Sequence, residues 1–256
     1  MSHTGLEICV DSLQSAMNAA RGRCDQLEVC SSLSLGGLTP SVGLVQSIQE
    51  NVSKISPSVQ LMIMIRPRSG NFVYTKEEIE VMRSDLILLS DRFPSAGIVF
   101  GILRKDNSLD EEAMSELISL VGKEKKLTLH RAFDFIPDWK EGIDCAVRLG
   151  FSSILTSGQR ATAKEGTENL TEIVSYSKEK GIRIIVGSGV KSSNIKELCR
   201  DTKAVFYHGS ASVTVQSDVS PAPFPMGSAE TEVIKETSQE EVSAMRDAIF
   251  EAFVGI

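Results

Sequence analysis

The chain has 256 residues, 41% of them hydrophobic and 24% charged, an ordinary globular composition at the upper end of single-domain length. A net charge of −7 leaves no basic excess to displace counterions, which excludes a general nucleic-acid binder. No stretch approaches the roughly 20 apolar residues that span a bilayer, and the opening MSHTGLEICVD lacks the basic and apolar regions of a secretory signal. The expectation is a cytoplasmic protein, with passive entry to the nucleus, and no membrane or nucleic-acid partner. Five cysteines, an odd number without a Cys-x-x-Cys pair, speak against a disulfide framework or a zinc ribbon.

Residues 6–10 and 27–31 repeat one phrase, Leu6-Glu7-Ile8-Cys9 and Leu27-Glu28-Val29-Cys30. Each alternates with the two-residue period of a half-buried strand. Between them Leu13, Ala16, Met17 and Ala20 follow a helical spacing that Gly22 ends. The crossover forces the two strands parallel. Their aliphatic residues then face the helices, and Glu7, Cys9, Glu28 and Cys30 face the interior that the sheet encloses.

Farther along, Thr39 and Pro40 suit a helix start and the helix runs to about residue 51. Residues 61–65 form a third strand, with Met62, Met64 and Arg66 inward, leading to the basic loop Arg66-Pro67-Arg68-Ser69-Gly70. A capping box of Thr75 and Glu78 opens a helix to about residue 91. Strand 97–101 follows, then a helix begun in the same way by Ser108 and Glu111. In strand 127–130, Thr128 and His130 point inward. Pro137 opens a helix that ends at Gly150. Strand 153–156, helix 169–181, strand 182–186, a short helix near 194–200 and strand 204–208 complete the alternation. Residues 217–228 read as a proline-containing loop, and 239–253 as a last helix.

Eight strands in strict alternation with about eight helices, without a composition break, predict an α/β fold, a single (β/α)8 TIM barrel over 1–256 with a short tail at 1–5. A doubly wound open sheet is the alternative. In a barrel the site lies at the carboxyl ends of the strands. There the sequence collects Cys9, Asp11, Cys30, Arg66, Arg68, His130, Arg131, Ser157, His208 and Ser210, with Glu7 and Glu28 one step deeper.

Several of these phrases resemble the CutC copper homeostasis family. They are Glu7-Ile8-Cys9-Val10-Asp11-Ser12, Leu27-Glu28-Val29-Cys30-Ser31, Gly36-Gly37-Leu38-Thr39-Pro40-Ser41, Met64-Ile65-Arg66-Pro67-Arg68 and His130-Arg131-Ala132-Phe133-Asp134. Leu155-Thr156-Ser157-Gly158 and the closing His208-x-Ser210 are similar too. The resemblance covers the chain in order and implies a cytosolic, oligomeric TIM barrel with a role in copper handling. It also implies a Cu(I) site at Cys9 and Cys30. The Gly187-Ser188-Gly189 loop is shorter than the family's glycine-rich form, and both it and Ser157-Gly158-Gln159-Arg160 lie where related barrels bind phosphate.

Two readings of the site follow. Cu(I) prefers thiolate and thioether, and Cys9 and Cys30 come from strands about 4.8 Å apart, with Met62 or Met64 available beside them. The alternative is an enzyme acting on an anionic small molecule. Glu7 and Glu28 would be its acid/base pair, with His130 as second proton carrier. Arg66, Arg68 and Arg131, with His208 and Ser210, would hold the anion. A salt-bridge network between the glutamates and those arginines is the purely structural reading. Cys24, Cys145 and Cys199 fall on helix-side or loop positions, where no role is expected.

Overall fold

The computed structural model describes residues 4–122, 124–215 and 234–254. Eight parallel strands close on themselves in sequence order: β1 (Gly5–Val10), β2 (Gln26–Val29), β3 (Gln60–Met64), β4 (Gly97–Phe100), β5 (Leu127–Leu129), β6 (Ser153–Thr156), β7 (Arg183–Val186) and β8 (Phe206–Gly209). Helices α1 (Leu13–Arg21), α2 (Val42–Ile55), α3 (Lys76–Arg92), α4 (Glu111–Ile118), α5 (Trp139–Arg148), α6 (Thr167–Lys180), α7 (Ser192–Thr202) and α8 (Gln239–Val254) wrap them. This is the closed barrel, not the open sheet. A two-stranded antiparallel sheet, β9 (Ser212–Val215) with β10 (Ile234–Thr237), follows β8 and was not anticipated. Gly5 starts β1 and does not belong to a tail, and the 217–228 loop lies outside the described residues.

The two faces of each strand divide as the alternation requires. Leu6, Ile8, Val10, Leu27, Val29, Ile63 and Ile98 belong to one large core between barrel and helices, each nearly or fully buried. At about 1.5–3 kcal/mol for each such side chain, this outer core dominates the stability. Cys24, Cys145 and Cys199 are packed in it as well. Inside the barrel two separate small clusters form, Cys30 with Met62, Met64 and Val99, and Leu155 with Ile185 and Phe206.

Register then fixes depth. Cys9 is the partner of Glu28 across β1 and β2, Glu7 of His208 across β1 and β8, and Glu28 of Met62 across β2 and β3. With the one-residue-per-strand stagger of an eight-stranded barrel, inward residues sort into layers drawn from alternate strands. Glu7 shares a layer with Met62, Thr128 and Ile185. Above it lie Glu28, Val99, Leu155 and His208, and then Cys9, Met64, His130 and Gly187. Cys30, Gly101, Ser157 and Ser210 close the mouth. Gly187 makes room for the layer beneath it, since a Cβ there would stand 2.7 Å from Leu155 Cδ1 and 3.4 Å from His208 Cβ.

Three local expectations change. Helix α2 is capped by Ser41, whose hydroxyl accepts from Leu44 N at 3.2 Å. Thr39 cannot do this, because its hydroxyl donates to Arg66 O at 3.1 Å and accepts from Arg66 N at 2.9 Å. Asp110, not Ser108, caps α4; the Ser108 hydroxyl donates to Asp106 at 2.7 Å. Past β5 the chain turns at once into a 3-10 helix, Arg131–Phe135. The capping box of Thr75 and Glu78 is present as read.

Candidate metal centre

The polar inward positions of β8, β1 and β2 meet at one place. Cys9 Sγ, a Glu28 carboxylate oxygen and a His208 ring nitrogen all lie within 4.8 Å of one another, the single such grouping of three metal-ligating side chains among the described residues. Strand order brings them together: the closure of the barrel makes β8, at the end of the chain, a neighbour of β1. His208 Nδ1 lies 2.7 Å from Glu7 Oε1, so the carboxylate accepts from an Nδ1–H. Glu7 Oε2 in turn accepts from Gln26 Nε2. The other ring nitrogen, Nε2, faces Glu28 Oε2 at 4.0 Å. Cys30 Sγ reaches the same Oε2 at 3.6 Å from one step up β2.

The electrostatics follow from this packing. Burial pushes the Glu28 carboxyl up to about 7, against the pull of His208. For His208 burial acts the other way, but Cys9, Glu7 and Glu28 outweigh it and hold the imidazole well above its ordinary range. Burial, helped by the Glu28 charge, raises the Cys30 thiol well above its usual value. Glu28 Oε1 is buried and has no hydrogen-bond partner, a costly condition for a carboxylate oxygen.

The remaining residues singled out from the sequence lie elsewhere and are differently engaged. The Arg66 guanidinium donates to the carbonyls of Leu35, Gly36, Gly37 and Gly70 at 2.9–3.2 Å and lies 4.9 Å over the Phe72 ring. Arg68 pairs with Glu78 and donates to the Asn71 and Val73 carbonyls. Arg131 pairs with Asp134 at 2.7 Å and donates to Ser157 Oγ at 2.8 Å. All three hold loops in place. None of them ion-pairs with Glu7 or Glu28, so the glutamate–arginine network read from the sequence does not form; His208 and Gln26 take that position. His130 sits a layer above His208, buried, with Nδ1 accepting from Ala132 N at 3.2 Å and Nε2 unpartnered. Burial and the nearby Arg66 charge lower it to about 3, so it is neutral. The Ser210 hydroxyl lies 3.0 Å from that of Ser212. Gln26 was missed, although two residues before Glu28 is an inward position by the same period. Asp134 stands in the His130–Asp134 phrase with no chemical role expected of it, yet it organises the loop after β6.

A cleft of about 240 Å³ lined by Val52, Ser56, Pro57 and Ser95 lies at the opposite end of the barrel and holds none of these groups.

Comparison with known proteins decides the family. The profile of the CutC family matches residues 4–213, a span that includes every member of the cluster. This chain belongs to the CutC family. It is 39% identical over 244 residues to a copper homeostasis protein cutC homolog of Caenorhabditis elegans, covering 94% of this chain and 93% of that one. The corresponding human homolog is 37% identical over 212 residues, 83% of this chain and 75% of the relative. The crystal structure of CutC from Streptococcus agalactiae superposes with a TM-score of 0.75 at 32% identity, covering 81% of this chain and 98% of that one.

Proposed function

We propose that this chain handles copper by binding Cu(I) at the mouth of its barrel through Cys9 and Cys30. The observation that carries the reading is the approach of both sulfurs to one carboxylate. Cys9 Sγ lies within 4.8 Å of Glu28, and Cys30 Sγ lies 3.6 Å from Glu28 Oε2. A soft monovalent ion favours thiolates and needs few ligands. Met64 shares the layer of Cys9 by register, and it packs with Cys30 in one apolar cluster that can supply a thioether. The raised Cys30 thiol is protonated until an ion displaces its proton. The names of the C. elegans and human relatives, copper homeostasis protein cutC homolog, support a role in copper handling.

All five cysteines are free, which fits a reducing compartment, so the proposal places the protein in the cytoplasm. No described helix is long and apolar enough to cross a membrane. The arginines once considered for an anionic substrate are occupied with loop carbonyls and carboxylates, and the copper reading does not call on them.

The test is an anaerobic Cu(I) titration of reduced protein against a competing chelator, beside Cys9→Ser, Cys30→Ser and the double variant. The expected result is one tight equivalent, weakened about 100-fold or more in each single variant and lost in the double. Unchanged affinity in the double variant, with the circular dichroism of a folded barrel, would make the thiols core residues only.

A further inference from the structure

Below Cys9 the same interior carries a second donor set, and its chemistry is not that of a two-thiolate copper site. We infer that Cys9 Sγ, His208 Nε2 and Glu28 form a site for a borderline divalent cation of the Zn²⁺ class, with a fourth position open toward the mouth. The inference shares Cys9 with the copper reading but does not depend on Cys30.

Four observations carry it. First, the three ligand atoms lie within 4.8 Å of one another, and His208 Nε2 is 4.0 Å from Glu28 Oε2. Bonds of about 2.0–2.3 Å in tetrahedral array put ligand atoms roughly 3.3–3.7 Å apart. The widest pair therefore needs a contraction of at most about 1.5 Å, within reach of small side-chain rotations. Second, one sulfur, one imidazole and one carboxylate suit Zn²⁺, whereas Cu(I) selects sulfur. Three protein ligands with a vacancy is the count of open zinc sites, and a thiolate with a carboxylate offsets two positive charges.

Third, the imidazole is already oriented. Glu7 Oε1 accepts from Nδ1–H at 2.7 Å, Gln26 donates to Glu7 in turn, and Nε2 is left facing Cys9 and Glu28, where a binding cation displaces its proton. This carboxylate–histidine arrangement is the usual outer support of a metal-bound imidazole. Glu7 is therefore a positioning residue. Fourth, Glu28 Oε1 is buried without a partner on a residue only 4% exposed. Such an acceptor gains what it lacks from a cation. Cys9 is the half-buried residue of the set.

The experiment uses the full chain, reduced and metal-free, titrated with Zn²⁺ alone against a chromophoric chelator and with Co²⁺ as a spectroscopic probe. One Zn²⁺ per chain is expected, with a thiolate-to-Co²⁺ charge-transfer band. Cys9→Ser and His208→Gln should each weaken Zn²⁺ at least 100-fold, and Glu7→Gln roughly 10–100-fold with a shifted Co²⁺ d–d spectrum. Cys30→Ser should stay within about threefold of the parent. For Cu(I) the pattern inverts, with Cys30→Ser damaging and His208→Gln mild, so either reading can fail alone. Should His208→Gln not fold, the parent's Co²⁺ spectrum and the Cys30→Ser titration still decide. No Zn²⁺ binding, a Co²⁺ spectrum without the thiolate band, or Zn²⁺ affinity that tracks Cys30 overturns the inference.

Discussion

Replacing Asp134 with alanine tests whether the His130-Arg131-Ala132-Phe133-Asp134 phrase is scaffold or chemistry. Its carboxylate, only 4% exposed, accepts from the Thr156 hydroxyl, Ser157 N at 3.1 Å, Ser157 Oγ at 3.0 Å and Gln159 N at 3.1 Å, and pairs with Arg131 at 2.7 Å. The loop it gathers is a strained one, with Gly158 and Gln159 both at positive φ, 74° and 59°. In Asp134→Ala the two hydroxyls can turn to other acceptors, but the Ser157 and Gln159 N–H groups lose theirs in a buried setting. At about 1–3 kcal/mol for each orphaned group, plus the unpaired Arg131, the loss comes to about 3–5 kcal/mol. For a chain of this size that is a fall in Tm of roughly 10 °C. Urea unfolding followed by circular dichroism measures it. The folded fraction should bind Cu(I) as the parent does, since Cys30 bonds to Glu28 and this loop is held by Asp134. A loss under about 1 kcal/mol, or a folded variant that no longer takes copper, refutes the scaffold reading.

His130 makes acid stability a diagnostic. Its folded-state value of about 3 lies below the ordinary 6.5, so the unfolded chain binds the extra proton between those values. The neutral histidine's contribution is fully present above about pH 6.5 and is lost as pH falls toward 3, at up to about 1.4 kcal/mol per pH unit. His130→Gln should flatten that part of the profile in urea midpoints taken from pH 7 to 4.5; parallel profiles would remove His130 as the cause. Arg66→Lys should cost about 2 kcal/mol, because an ammonium cannot reach the carbonyls of Leu35, Gly36, Gly37 and Gly70 with one planar fork. A stability loss below about 0.2 kcal/mol in urea unfolding would mean the loops hold themselves.

How much of this was legible depends on which interaction decides each feature. Period-two alternation placed Glu7, Cys9, Glu28 and Cys30 in the interior, and they are there, because one buried face and one helix-facing face leave a parallel strand no other choice. The eight-fold alternation likewise gave the barrel. What alternation cannot give is stagger. The sequence pairs Cys9 with Cys30 by analogy of position, while the register pairs Cys9 with Glu28 and lifts Cys30 a layer toward the mouth. Nor can it show that closure brings His208 to Glu7, since the two residues stand at opposite ends of the chain. The partners of the arginines were hidden for a related reason. A guanidinium near a strand end looks like an anion clamp until the loop carbonyls around it are placed, and only tertiary structure places them. Thr39 lost its expected capping role to the end of β3 in the same way.

The vertical order of donors gives the two metal readings a common logic. Cys9 lies between a layer that holds Cys30 and a layer that holds Glu28 and His208. On the side of β3 and β4 the environment is sulfur and hydrocarbon, Cys30 among Met62, Met64 and Val99. On the side of β8 and β1 the environment is imidazole and carboxylate, backed by Glu7 and Gln26. An ion reaching Cys9 from the mouth is thus offered soft partners on one side and borderline or hard partners on the other. Softness then decides which way it moves. Cys9, Glu28, Met64 and His208 sit on strands and Cys30 directly follows β2, so the choice is made by fixed geometry, with little of the rearrangement that a flexible site would allow. The separate effects of Cys30→Ser and His208→Gln follow from that geometry. A single mixed site, with all donors on one ion, would make both substitutions weaken both metals alike.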